Sequence, residues 1–378
     1  MAQERPQTPT SPTNIAAPIL SPTITQTPLS STNADNSTTK VKLLSLNIFL
    51  QPLMTNTPYK ADRMNYFITN ILPNYDIVCL QEMYGFGSGR RQKLINAAGE
   101  NGFGYVLKSK NKLTRGMIDG GLLILSRFPI TDSEEMIFGC QGDRFVPKGS
   151  LYAKIAVKPT CPIHLFVTQL QSSCDPHPSL SDTNVRIRFQ QVHQLRQFVD
   201  RCKAIYEFKP NEMVMVVGDL NVDGRRTDED DDGMSEKNSR EYFLMQKILS
   251  GKGIPANYAN PRFSIAGLRY SSSAQFSIRD VLKETYSEHP ITYAGLANKN
   301  GSPQSRESVL KAKQRLGKQC SLDYIFVLES RDEAEKEEDD TVEIDIKNTK
   351  VEEFSTDGSF EFSQISGKCW SGFPASVF

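Results

Sequence analysis

Few architectures accommodate the run Val214-Met215-Val216-Val217-Gly218-Asp219-Leu220-Asn221. An unbroken apolar, largely β-branched stretch bounded by glycine has the length and composition of a buried strand. Its far end carries an aspartate and an asparagine two residues apart, and residues i and i+2 of a strand share a face. Asp219 and Asn221 are therefore expected to project together beyond a sheet edge. A carboxylate beside an amide at such a place suits a hard cation or a nucleophilic water. A strand that ends in an Asx turn shows the same residues. The segment alone leaves both readings open.

The same design recurs along the chain. Residues 41–49 read as a first strand with Asn47 near its exit, and residues 77–82 as a second that ends on Gln81-Glu82. Further strands are expected over 120–130, 150–157, 163–171 and 321–328, the last carrying Asp323 at its start. Helices are expected over 61–71, 90–99, 181–206 and 242–249. In the third, Val185, Phe189, Val192, Leu195, Phe198 and Val199 recur at helical spacing, so it should cover a sheet with its apolar face. His193 falls inside that pattern and reads as a packing residue. A glutamate at the end of a buried strand is costly unless solvated, paired or metal-bound, which singles out Glu82.

Composition excludes several classes. Forty-four basic residues balance 44 acidic ones, so no global positive field advertises nucleic-acid binding. The seven cysteines form no CxxC pair and suggest reduced thiols in a cytoplasmic setting. No apolar run approaches the roughly 18–20 residues that span a bilayer, and the N-terminus lacks a secretion-signal layout. Residues 1–40 are rich in Pro, Thr and Ser and read as a disordered tail. Residues 41–329 would form the folded domain, 330–350 an acidic charged loop and 351–378 an atypical C-terminal end.

Two motif-like stretches carry little weight. Gly85-Phe86-Gly87-Ser88-Gly89 lies between a strand and a helix, but its spacing is GxGxG and not the dinucleotide GxGxxG. Asp228-Glu229-Asp230-Asp231-Asp232-Gly233 imitates an EF-hand start, yet Ser239 occupies the position that needs a bidentate Glu. The former reads as a flexible loop and the latter as a solvated acidic one. Residues 251–278 read as a substrate-shaping loop, and the charge run 331–340 as solvent-exposed.

Polar residues at strand ends (Asn47, Glu82, Asp219, Asn221, Asp323) favour Mg²⁺ or Mn²⁺ over Zn²⁺, since few histidines and no cysteine cluster accompany them. In order, Ser45-Leu46-Asn47, Leu80-Gln81-Glu82, Gly218-Asp219-Leu220-Asn221 and Leu322-Asp323-Tyr324-Ile325 resemble the endonuclease/exonuclease/phosphatase superfamily. Lys148-Gly149 before a strand, and Thr168-Gln169-Leu170-Gln171, resemble its neutral sphingomyelinase branch. The resemblance implies an α/β four-layer sandwich, deoxyribonuclease-like, of two mixed β-sheets flanked by helices. It also implies Mg²⁺-dependent hydrolysis of a phosphodiester, most like a sphingomyelin phosphodiesterase, with a phospholipid head group as substrate and peripheral membrane contact. By motif, Glu82 binds the metal with Asn47 beside it. Asp219 orients or deprotonates water, Asn221 contacts the phosphate and Asp323 supports the network. A nuclease, an inositol-phosphate phosphatase or a non-catalytic binding member would share these motifs.

Two departures accompany the resemblance. The family usually has Thr-His-Leu-Gln where this chain has Gln169, and an amide donates a hydrogen bond but carries no positive charge. The family's closing Ser-Asp-His is expected after Ser363-Gln364-Ile365-Ser366, where Gly367-Lys368-Cys369-Trp370 stands instead. The last core strand is accordingly expected to be missing or altered, and activity to be impaired. His177 is a weak substitute in an extended loop.

Overall fold

The computed structural model describes residues 25–26, 40–50, 60–85, 87, 89–110, 118–139, 142, 146–173, 178–225, 238–258, 276–293, 296–299, 302–305, 319–330, 342–353 and 374–377. The expectations for the rest of 1–40, for Asp228 to Gly233, for His177, for 331–340 and for Ser363 to Trp370 lie outside the described residues.

In chain order the first elements are β1 (Thr25–Gln26), β2 (Leu43–Leu50), α1 (Lys60–Tyr66), β3 (Ile77–Met83), α2 (Arg90–Glu100), β4 (Tyr105–Lys108) and β5 (Leu123–Ser126). Then come β6 (Ile130–Ile137), β7 (Gly149–Ile155), β8 (Ile163–Gln169), α3 (Thr183–Ile205) and β9 (Met213–Asp219). The last part contributes α4 (Arg240–Lys247), β10 (Phe276–Asp280), α5 (Val281–Tyr286), β11 (Leu296–Lys299), β12 (Ser302–Ser305), β13 (Asp323–Ser330), β14 (Lys350–Glu353) and β15 (Pro374–Val377). One sheet has the order β1-β4-β5-β3-β2-β15-β14 and the other β10-β13-β9-β8-β7-β6, with β11-β12 a separate hairpin. Both large sheets are mixed: β2 runs parallel to β3 and β8 parallel to β9, among antiparallel neighbours.

Alternation along the strands builds the layers. Met215 and Val217 join Ile77, Cys79 and Ile124 in a core between the sheets, while Val214 and Val216 face Phe189, Val192 and Phe198 of α3. In the other sheet Val78 and Leu80 turn outward to Met64 of α1 and to Leu94 of α2. Helix, sheet, sheet, helix is the resulting order. Because both faces of the central strands are covered, their sequences read as continuous apolar runs rather than as alternating ones. Cys79, Cys161, Cys202 and Cys320 are buried.

Some boundaries differ from expectation. The run 120–130 is divided between two strands in different sheets, β5 ending at Ser126 and β6 starting at Ile130, with Pro129 at the break. The loop expected to extend to 278 contains β10, an edge strand paired with β13. The last core strand is not missing: β15 pairs with β2 through Ser376 with Ser45 and Val377 with Leu44.

Candidate active site

Three strands of one sheet end side by side. Asp219 at the end of β9 is in register with Gln169 of parallel β8 and with Asp323 of antiparallel β13. From the other sheet, β2 and β3 set Asn47 opposite Gln81, with Glu82 next in line. The two groups meet through hydrogen bonds. Asn47 Nδ2 donates to Glu82 Oε1 at 3.1 Å and to Asp219 Oδ2 at 2.9 Å. Gln169 Nε2 donates to the same two oxygens, at 2.9 and 3.4 Å. Two amide NH₂ groups thus bridge two carboxylates from opposite sheets. Glu82 is 8% exposed, Asp219 7% and Gln169 2%.

Backbone irregularities aim these side chains. The β2–β3 ladder shifts register between Asn47 and Leu50, and Phe49 (φ 52°) and Glu82 (φ 58°) take left-handed conformations there. Bulges redirect side chains at sheet ends, and a non-glycine residue in this region costs on the order of 1–3 kcal/mol, so the surroundings must enforce it. Arg63 of α1 is part of that enforcement, donating from Nη1 to Ile48 O at 3.1 Å and to Phe49 O at 2.8 Å. Asp119 anchors the other flank, accepting from Gly85 N at 2.9 Å and Gly121 N at 2.8 Å, with Arg91 alongside at 3.0 Å.

Asn221 corrects the period-two argument. The strand ends at Asp219, and Asn221 is left-handed (φ 53°). Its N–H donates to Asp219 Oδ1 at 3.1 Å and its Nδ2 to Leu170 O at 3.0 Å. The Asx turn and the site therefore coexist, and the turn itself orients the Asp219 carboxylate. Asn47 repeats the device, its Oδ1 accepting from Phe49 N at 3.0 Å.

Burial raises the pKa of Asp219, and the neighbouring Glu82 charge adds to this; the Asn47 hydrogen bond, the Lys148 charge and the Gln169 hydrogen bond pull the other way. Lys148 itself is buried. Arg63 is pushed down to about 10 by burial, against the attraction of Glu82. Asp323 is fixed from behind by Thr292, whose Oγ1 accepts from Leu322 N at 2.8 Å and Asp323 N at 3.1 Å. The roles of Arg63, Asp119, Lys148 and Thr292 escape sequence reasoning. Only Lys148 leaves a trace, as half of the Lys148-Gly149 motif.

Two oxygens in the cluster, Glu82 Oε2 and Gln169 Oε1, are buried without a hydrogen-bond partner. Buried polar atoms in native structures are normally satisfied, so acceptors left open at a carboxylate and an amide fit a hard cation. No group of three or more His, Cys, Asp or Glu able to hold a metal occurs among the described residues. Mg²⁺ needs no such group, since it is commonly held by one or two carboxylates and keeps several waters. His193 is buried within α3, and His164 is occupied by Glu212 and Tyr152, at 2.8 and 2.9 Å.

Facing sheets between helical layers, with acids and amides meeting at the strand ends, define a deoxyribonuclease-like α/β sandwich. Residues 44–327 match the Endonuclease/Exonuclease/phosphatase family, and the chain belongs to it. A sphingomyelinase of Dictyostelium discoideum is 31% identical over 289 residues, covering 68% of this chain and 58% of that protein. Sphingomyelinase C of Leptospira interrogans is 26% identical over 253 residues, covering 61% and 41%. The chain thus spans about half the length of these relatives. The crystal structure of SmcL superposes with a TM-score of 0.53 at 21% identity, over 89% of this chain and 98% of that one, which shows the shared fold.

Proposed function

We propose that the protein is a Mg²⁺- or Mn²⁺-dependent phosphodiesterase that hydrolyses a sphingomyelin-type phosphodiester at the Glu82–Asp219 cluster. The observation that carries this reading is the meeting of the two carboxylates from opposite sheets, bridged by Asn47 and Gln169. The likeness to sphingomyelinases supports the substrate class. A bound divalent ion, held by Glu82 with Asn47 beside it, would stabilise charge developing on the phosphoryl group and the leaving oxygen.

The chain's own residues account for the remaining steps. Asp219 accepts a proton from the attacking water; burial disfavours its ionised form, which brings its basicity closer to that of a working general base. Its two oxygens are held in place, Oδ2 by Asn47 and Gln169 and Oδ1 by the Asn221 N–H. Asn221 spends one N–H of its amide on Leu170 and directs the other to a phosphoryl oxygen. Asp323, next to Asp219 in register, supports the network. Gln169 stands where the resemblance puts a histidine and donates hydrogen bonds without supplying a proton. Loss of a general acid–base typically costs about 10²–10⁴ in rate, so turnover should be slow.

The substrate would lie in a lipid surface, which calls for peripheral contact. Among the described residues no helix is long and apolar enough to cross a membrane. The test is hydrolysis of sphingomyelin in detergent micelles with Mg²⁺ and with EDTA, beside DNA and inositol-phosphate substrates, using Glu82→Ala as the control. Mg²⁺-dependent release of the phosphorylated head group, lost in Glu82→Ala, is the expected result. Preferential cleavage of DNA or inositol phosphate would overturn the substrate assignment. Equal inactivity of wild type and Glu82→Ala on every phosphodiester would overturn the enzymatic one.

A further inference from the structure

The side chain at 169 does more than fill the place of a missing imidazole. Its NH₂ meets Glu82 Oε1 and Asp219 Oδ2, both carboxylate oxygens, and only a donor is tolerated between them. The orientation of the amide is thereby determined: flipping it would set a third oxygen against two acidic ones. Gln169 Oε1 must then point away from the bridge, and it is buried there without a hydrogen-bond partner, as is Glu82 Oε2. These two open acceptors belong to side chains joined by a 2.9 Å hydrogen bond. Leaving a buried acceptor unmet is costly, and carboxylate and amide oxygens are the ligands that a hard cation prefers.

We propose that Gln169 is a cation ligand of this site, its NH₂ locking Glu82 to Asp219 while its carbonyl oxygen, with Glu82 Oε2, receives the divalent ion. The inference rests on the phosphodiesterase reading for the presence of an ion at Glu82, and it assigns Gln169 a role that a histidine at that position could not fill in the same way. An imidazole nitrogen that donates to two carboxylates has no oxygen to offer a hard cation. The exchange therefore trades a proton donor for an oxygen ligand.

Binding to the metal-free full-length protein tests this without any turnover. Mn²⁺ affinity is measured by electron paramagnetic resonance and Mg²⁺ affinity by titration calorimetry. The variants are Gln169→Leu, Gln169→Glu and Glu82→Gln. Gln169→Leu should weaken Mn²⁺ binding about tenfold or more, by analogy with the 10–100-fold losses that follow removal of groups supporting a metal site. Gln169→Glu should do two opposite things: lower the melting temperature of the metal-free protein, by adding a third carboxylate, and tighten Mn²⁺ binding. A purely structural role would not separate those two readouts. If Gln169→Leu does not fold, Gln169→Glu decides alone, and equal or weaker binding overturns the inference. Wild-type affinity in Gln169→Leu together with lost binding in Glu82→Gln would overturn the role of Gln169 and leave the phosphodiesterase reading intact. Unchanged binding in Glu82→Gln would overturn that reading itself.

Discussion

Gly218→Ala should damage this protein far more than a single methyl group suggests. Gly218 immediately precedes Asp219 in β9 and has φ 138°, a conformation that L side chains rarely adopt. A Cβ there would lie 2.0 Å from Thr168 O, whereas real Cβ atoms essentially never come within 3.0 Å of another heavy atom. The obstacle is the backbone of the paired strand β8, which cannot swing aside as a flexible side chain would. Relief requires β8 and β9 to part by about 1 Å or the backbone to rearrange. Strain at the dihedral costs on the order of 1–3 kcal/mol and overpacking a comparable 1–3 kcal/mol. Together they predict a loss of about 2–6 kcal/mol. The displaced residues on either side are Gln169 and Asp219, whose contacts at 2.9–3.4 Å define the site. Misplacement by about 1 Å is enough to cost roughly 10²-fold in rate. Val217→Ala provides the contrast, since it removes core packing one residue earlier without any clash. It should lose stability with its activity per folded molecule largely retained. Urea denaturation and turnover at fixed folded fraction measure both effects. Stability within about 0.5 kcal/mol of wild type in Gly218→Ala would refute the steric argument. Normal turnover in a destabilised Gly218→Ala would refute the link from strand spacing to the site.

Three other perturbations bear on the supports of the site. Thr292→Val is nearly isosteric but leaves the Leu322 and Asp323 N–H groups without the Thr292 acceptor; at about 1–3 kcal/mol for each unmet group, a loss of about 2–6 kcal/mol is expected, with Thr292→Ser close to wild type in the same denaturation assay. Arg63→Met should lose about 2–4 kcal/mol, since two charge-assisted bonds to the Ile48 and Phe49 carbonyls disappear; a wild-type urea midpoint would show that the bulge holds itself. The pH dependence of stability tests the buried pair His289 and Asp280, 4.0 Å apart. Burial lowers His289 to about 4 and raises Asp280 to about 6. Between pH 6.5 and 4 the unfolded chain binds a proton at His289 that the folded one refuses, so stability falls with pH; below pH 6 the folded Asp280 binds a proton that the unfolded one does not, so stability rises. The two effects, each about 3 kcal/mol at 1.36 kcal/mol per pK unit, nearly cancel. Asp280→Asn should expose the histidine effect as a steep loss of stability from pH 6.5 to 4, and an unchanged pH profile would refute the opposed titrations.

How far the sequence foretells such a site depends on which physical layer each residue belongs to. Central strands such as β3 and β9 are covered on both faces and so announce themselves as apolar runs, and the acids that interrupt those runs stand out for the same reason. β10 escapes because it is a short edge strand with the exposed Ser277 and half-buried Ile278 and Arg279 in its middle. Arg63 and Thr292 escape because their contacts are backbone carbonyls and amides on other elements, which no residue pattern encodes. Asn221 shows a subtler limit. Period-two geometry places it beside Asp219 only if the strand continues, but the strand ends at Asp219, two residues before the left-handed Asn221. Yet the turn that breaks the rule is what binds Asp219 Oδ1. Gln169 extends the point from backbone to chemistry. Judged by resemblance, it marks only a missing histidine; judged by its partners, it is a neutral donor shared between Glu82 and Asp219. Amides in place of an imidazolium bring no positive charge to this position, so nothing there offsets the attraction of the two carboxylates for a divalent ion, and no proton source stands beside them. With Gln169 as the proposed cation ligand, the metal-facing and proton-donating capacities of this site would be coupled through one side chain.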